Sequence, residues 1–166
     1  AGSISRRDVI GGIAAGAWAG IGFGRAFGQA RPRVVVVGAG AGGASVARQL
    51  AQAAAGGIEI VLVDPKDAFT TCFHSNLYLG GIRDFGSITH DHRGLGTLGI
   101  EHVRQAATAI DRDRRTVRLA DGAVLQYDHL VLAPGIDILF DRIEGYSPEA
   151  ARIMPHAWQG GEQTLL

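Results

Sequence analysis

Arg33-Val34-Val35-Val36-Val37-Gly38-Ala39-Gly40-Ala41-Gly42-Gly43 is the stretch on which the reading of this chain turns. The valine run is too short for a helix of its own, follows Pro32 and stops abruptly at glycine, so it predicts a buried parallel strand. The glycines then follow the spacing G-x-G-x-x-G, in which each has a different task. Gly38 permits the tight turn out of the strand, Gly40 lets the backbone approach a pyrophosphate, and Gly43 lets the next helix pack closely on the strand. That helix is expected from Ala44 to about Ala54, ending near Gly56-Gly57, with its N-terminal amides and dipole aimed at the phosphates. Gly42 belongs to the same loop.

A second strand, Ile58 to Val63, ends at Asp64, about twenty residues beyond the last glycine, where a carboxylate accepts from ribose hydroxyls. An acid at this point favours FAD or NAD over NADP. The later sequence changes character. Arg115 to Leu119 alternates, Asp121-Gly122 is a hairpin turn signal, and Val124 to Tyr127 restarts an extended segment. Strands without intervening helices predict a β-meander. It leads into His129-Leu130-Val131-Leu132-Ala133-Pro134-Gly135, an apolar strand closed by a Pro-Gly turn. The fold class expected is therefore α/β, a Rossmann-like dinucleotide-binding domain with a parallel sheet and an antiparallel β-meander insertion.

Composition agrees with an ordinary folded domain. The 16 basic and 16 acidic residues cancel, which gives no footprint for nucleic acid. Residues 1 to 30 read as a twin-arginine signal peptide. Arg6-Arg7 precede a weakly apolar run, Val9 to Gly24, shorter than the roughly 20 residues a spanning helix needs, and Gly28 and Ala30 suit a signal peptidase. Export to the periplasm without a stable membrane anchor follows as an expectation. Beyond Ala30 the charges are 13 basic and 15 acidic, with no polybasic patch.

The order of Rossmann start, meander and strand ending in Ala133-Pro134-Gly135 resembles the FAD domain of the two-dinucleotide-binding-domain flavoproteins, the wider pyridine nucleotide-disulfide oxidoreductase family. Asp64-Pro65-Lys66-Asp67-Ala68-Phe69-Thr70-Thr71-Cys72-Phe73-His74-Ser75-Asn76-Leu77-Tyr78-Leu79-Gly80-Gly81 narrows it, together with Ser87 to His90, Ile143 to Ser147 and Met154-Pro155-His156-Ala157-Trp158. Over almost all of residues 31 to 166 the chain is similar to the flavoprotein subunit of flavocytochrome c sulfide dehydrogenase. The resemblance implies FAD on Gly38, Gly40, Gly42, Gly43, Asp64, Ala133 and Gly135, sulfide as substrate and a c-type cytochrome subunit as partner. It further implies a thioether from Cys72 to the flavin 8α-methyl, although Phe73-His74 departs from the Pro-Phe that follows the family cysteine. Read from the residues alone, this single cysteine is rather a small buried hydrophobe, the usual fate of a free thiol.

Other residues point to less. Cys72-x-His74 without further ligands is a poor metal site, His90 and His92 read as solvated or locally bonded loop residues, and Trp158 and Tyr146 read as packing residues. Residues 111 to 115 read as a solvated turn between strands. No catalytic residue is assigned in this stretch, because the related enzymes oxidise sulfide at a cysteine pair and the chain has one cysteine. Since Gln163-Thr164-Leu165-Leu166 reads as mid-domain, residues 31 to 166 are expected to form the N-terminal, truncated part of the FAD domain, weakly active or inactive alone. The alternatives are a sulfide:quinone or NADH:quinone oxidoreductase relative and an exported, non-catalytic FAD-binding module.

Overall fold

The computed structural model describes residues 31–156 and 158–166. The signal-peptide reading of residues 1 to 30 lies outside them. The valine run forms strand β1 (Arg33–Val37), followed by helix α1 (Ala41–Ala54) and strand β2 (Glu59–Val63). The helix begins three residues before the expected Ala44, so Gly42 and Gly43 lie in its first turn rather than ahead of it. Ala55, left-handed at φ 46°, ends it, and Gly56 continues the turn at φ 83°.

Strand β3 (Ala68–Thr70) comes next, then a 3-10 turn (Cys72–His74), a short helix α2 (Ser75–Leu79) and strand β4 (Thr89–Asp91). Helix α3 (Arg93–Gly96) and strand β5 (Ile100–Val103) follow. Strands β6 (Ala107–Asp111), β7 (Thr116–Leu119) and β8 (Val124–Gln126) form the meander, and β9 (His129–Leu132) returns to the main sheet. A last helix, α4, covers Glu162–Leu165. Seven elements escape sequence reading: the short β3, α2, β4, α3 and α4, together with β6, a third meander strand whose residues are mostly exposed, and β5, which carries Glu101 and His102 at the edge of the parallel sheet.

The main sheet has the order β5-β2-β1-β9, and β1 pairs in parallel with both β2 and β9. Its pleat divides the apolar residues between two faces. Val34, Val36, Ile60 and Leu62 pack with Ala47, Leu50 and Ala51 of α1. Val35, Val61 and Val63 face Val117 and Leu119 of the meander. Covered on both sides, the strands need no polar face, which is why the valines run without alternation. Each buried valine or leucine contributes about 1.5–3 kcal/mol.

Helix α1 sits very close to β1. A Cβ on Gly43 would stand 1.8 Å from the Gly38 carbonyl oxygen, and one on Gly38, at φ +95°, would stand 2.1 Å from the Ala133 carbonyl oxygen. Gly42, one turn position away, has only the Ala133 methyl at 3.9 Å. We therefore expect Gly43→Ala to lower stability by at least about 2 kcal/mol through overpacking, and Gly42→Ala to leave it within about 1 kcal/mol. Urea unfolding of the two variants checks the pair; equal losses would show that α1 does not depend on this contact.

Candidate functional site

A cleft of about 1250 Å³ opens at the carboxyl ends of β1, β2 and β9. That is where open α/β sheets bind ligands. Its floor is Gly38 to Gly42, its sides are Asp64 to Lys66, Ala68 to Thr70, Cys72, Phe73 and His92, and Ala133 to Ile136. The segment from Pro148 to Gln163 contributes Ala151, Arg152, His156, Trp158 and Gly160 to the remaining wall. Every sequence-assigned site residue except Gly43 lines this space. Gly43 is buried beneath it, against the Gly38 carbonyl.

The floor leaves room in a telling place. Gly40 precedes α1 with φ −69° and ψ −168°, extended backbone that any residue adopts. An added Cβ would make only van der Waals contact, 3.4 Å from the Phe69 ring. The fold itself does not require glycine here, whereas an anion approaching the free amides of α1 does. Asp64 is oriented from both sides: Oδ2 accepts from Ala39 N–H at 2.7 Å and Oδ1 from Lys66 N–H at 2.8 Å. A carboxylate with about four lone-pair sites keeps capacity for ribose hydroxyls. These residues fit the adenosine diphosphate half of FAD.

The opposite wall is built around Cys72. Thr71 is buried, its hydroxyl donating to the Ile88 carbonyl at 3.0 Å, and Ser75 pairs with Thr164 at 3.0 Å, both nearly inaccessible. Gly160 lies against this turn so closely that a Cβ would come 2.3 Å from the Thr70 carbonyl oxygen. Cys72 itself is unpaired and half-buried, so it is not the sealed core thiol that its residue type alone would predict. His74 is not turned toward a metal; its Nδ1 lies 3.2 Å from Thr71 Oγ1.

Two readings of polar and aromatic residues are corrected. His92 is not solvated: it is 6% exposed, stacks edge-on against His102 with ring centroids 5.1 Å apart, and donates its backbone N–H to Asp67. His90 stays exposed on β4, as expected for a solvated residue. Trp158 is not packed but 68% exposed at the rim of the cleft, whereas Tyr146 does pack, beside Phe140, and donates its hydroxyl proton to the Met154 carbonyl. His156 was missed as a site residue. Its Nδ1 accepts from Trp158 N–H, and its buried Nε2 has no partner among the described residues. No periodic pattern marks His92 or His156, because both are brought to the cleft by loops.

A family model described as pyridine nucleotide-disulphide oxidoreductase matches residues 32–157. The chain belongs to this family. It is 31% identical over 113 residues to the mitochondrial sulfide:quinone oxidoreductase of Dictyostelium discoideum, covering 68% of this chain and 25% of that protein. It is 34% identical over 122 residues to an NADH dehydrogenase-like protein of Mycobacterium tuberculosis, covering 68% and 29%. The structure of the sulfide:quinone oxidoreductase from Aquifex aeolicus superposes with a TM-score of 0.61 at 30% identity, over 66% of this chain and 25% of that one. The chain thus spans about a quarter of the length of these relatives. Family membership and the fit of the cleft make it an FAD-binding domain of the oxidoreductase class.

Two outcomes follow from this geometry. Replacing Gly40 with Val should fill the approach to the α1 amides and abolish FAD loading of the full-length protein with little loss of stability; flavin absorbance per polypeptide measures it. Burial, and then the neighbouring His102, hold the His92 imidazole below its ordinary value of 6.5, against the opposing pull of Asp64, Asp91 and Asp67. Its folded form therefore binds a proton less readily than its unfolded form. The stability it confers is complete above about pH 6.5 and declines as pH falls through that value toward the folded one. His92→Phe should flatten this part of the stability-against-pH curve, measured as the difference from the parent protein.

Proposed function

We propose that the full-length protein is an exported, FAD-dependent oxidoreductase that removes electrons from sulfide and delivers them to a c-type cytochrome, the role of a flavocytochrome c sulfide dehydrogenase flavoprotein. The observation that carries this reading is Cys72, unpaired and half-buried on the wall of the cleft that the glycine loop floors. Bound there, FAD supplies a two-electron acceptor able to release its electrons singly to a haem. The chain's own residues have simpler tasks. Gly38 to Gly42 and the α1 amides would hold the diphosphate, Asp64 the ribose, and Cys72 the ring through a thioether to its 8α-methyl carbon. With one thiol in this sequence, the sulfur-oxidising cysteine pair would come from chain outside it.

Export completes the reading. Arg6-Arg7 ahead of a weakly apolar run supports the twin-arginine route to the periplasm, which carries folded cargo and so allows FAD to be inserted beforehand. Among the described residues no helix is long and apolar enough to cross a membrane. A second reading has support from the relatives named sulfide:quinone oxidoreductase: the same sulfide oxidation with a quinone as acceptor and FAD held without a covalent bond.

The two readings divide at Cys72. Acid denaturation of the full-length holoprotein should leave yellow flavin on the polypeptide, with the Cys72 peptide gaining the mass of FAD or its hydrolysed flavin. Cys72→Ala should still bind FAD but release it on denaturation, and should reduce a cytochrome more slowly. Complete release of flavin from the unaltered protein would sink the covalent reading and favour the quinone-linked one.

A further inference from the structure

His92 lies where the cleft meets the Asp64 to Asp67 loop. Its backbone N–H donates to the Asp67 carbonyl at 3.1 Å, and its ring edge packs on His102, whose Nε2 lies 3.1 Å from the carbonyl oxygen of Asp64. A carbonyl oxygen is only an acceptor, so His102 Nε2 carries the proton there. His92 as a residue is only 6% exposed, yet neither of its ring nitrogens has a hydrogen-bond partner among the described residues. Nor are those nitrogens sealed: the buried nitrogen without a partner is His156 Nε2, on the Pro148 to Gln163 wall. The little surface that His92 retains therefore opens on the cleft that it lines.

A polar ring held this firmly and left unbonded is poised for a ligand group, since an unmet donor in a covered site costs stability that a ligand restores. The place identifies the group. His92 belongs to the same corner as the carboxylate at the end of β2, and lies at the opposite end of β3 from Cys72. We infer that His92 is an adenosine-recognition residue, hydrogen-bonding the ribose or adenine of an adenosine diphosphate moiety while His102 steadies the Asp64 backbone beside it. This rests on the reading of the cleft as an FAD site and adds to it a residue that the glycine-loop motif does not contain.

The test separates the adenosine end from the flavin end. Full-length apoprotein carrying Cys72→Ala, so that loading stays reversible, is titrated with FAD, ADP and FMN. Adding His92→Phe should weaken FAD and ADP by about tenfold, the loss of one hydrogen bond at a covered site, and leave FMN unchanged. Adding His92→Gln instead should recover part of the affinity through its amide. Equal loss for FMN, or unchanged FAD and ADP binding, would overturn the inference. Failure of the His92-containing apoprotein to take up either FAD or ADP would instead overturn the FAD reading itself. Should His92→Phe not fold, histidine ¹⁵N resonances of the parent apoprotein decide: ADP should shift the His92 ring signals, and signals that stay still would overturn the proposal.

Discussion

Helix α1 can lie on strand β1 only because two glycines leave out their side chains at the crossing. The Gly38 carbonyl occupies the place where a side chain at position 43 would begin, and the Ala133 carbonyl occupies the place of one at position 38. The turn after β1 and the first turn of α1, adjoining in sequence, and the distant end of β9 therefore meet at close range, Gly38 touching the backbone of both Gly43 and Ala133. From that contact comes the direction of α1, whose first turn lines the cleft between the strand ends. A helix kept a few ångströms farther off would still cover the sheet. It would no longer deliver its N-terminal amides to the edge where a diphosphate meets them.

The second wall depends on a similar economy. Gly160 approaches the Thr70 carbonyl and the Cys72 amide, while Ser75 and Thr164 close a buried hydrogen bond behind them. Segments 70 to 75 and 160 to 164 thereby act as one unit. Between the two walls runs β3, whose four residue steps from Ala68 to Cys72 reach at most about 13 Å at a strand's rise of roughly 3.3 Å per residue. A short, antiparallel ribbon with β4 thus carries one end of the cleft, at His92 and Asp67, and the other, at Cys72.

What could be read in the sequence follows from where each feature's cause lies. The valine run, the glycine spacing and Asp64 are local signals: their residues are close in the chain and each has one dominant physical reason, so β1, α1, β2 and the cleft floor were all legible. The turn at Asp121-Gly122 was legible for the same reason, with Gly122 at φ +90° and Asp121 accepting from Ala123 N–H. β5 and β6 were not, since their charged and exposed residues become strand only by pairing with β2 and β7. The burial of His92 and the exposure of Trp158 reverse what residue type suggests. Each is decided by loops that pack across more than one element, and no periodicity in the chain carries that information.

Asp64 shows why a site can be ready before its ligand arrives. A carboxylate left free at a strand end would sample several rotamers and lose entropy on meeting a ribose. Here one oxygen is held by the Ala39 amide, inside the glycine loop, and the other by the Lys66 amide, one residue beyond the turn. The loop that would bind the diphosphate and the acid that would bind the ribose are therefore mechanically one object. Displacing either moves the other, and the His102 contact to the Asp64 carbonyl ties β5 into the same object. Neutralising Asp64 would then do more than remove a hydrogen-bond acceptor, because it would also release Ala39 and with it the turn between Gly38 and Gly40. The glycine motif and the acid about twenty residues later therefore work as a pair, because in three dimensions each holds the other in position.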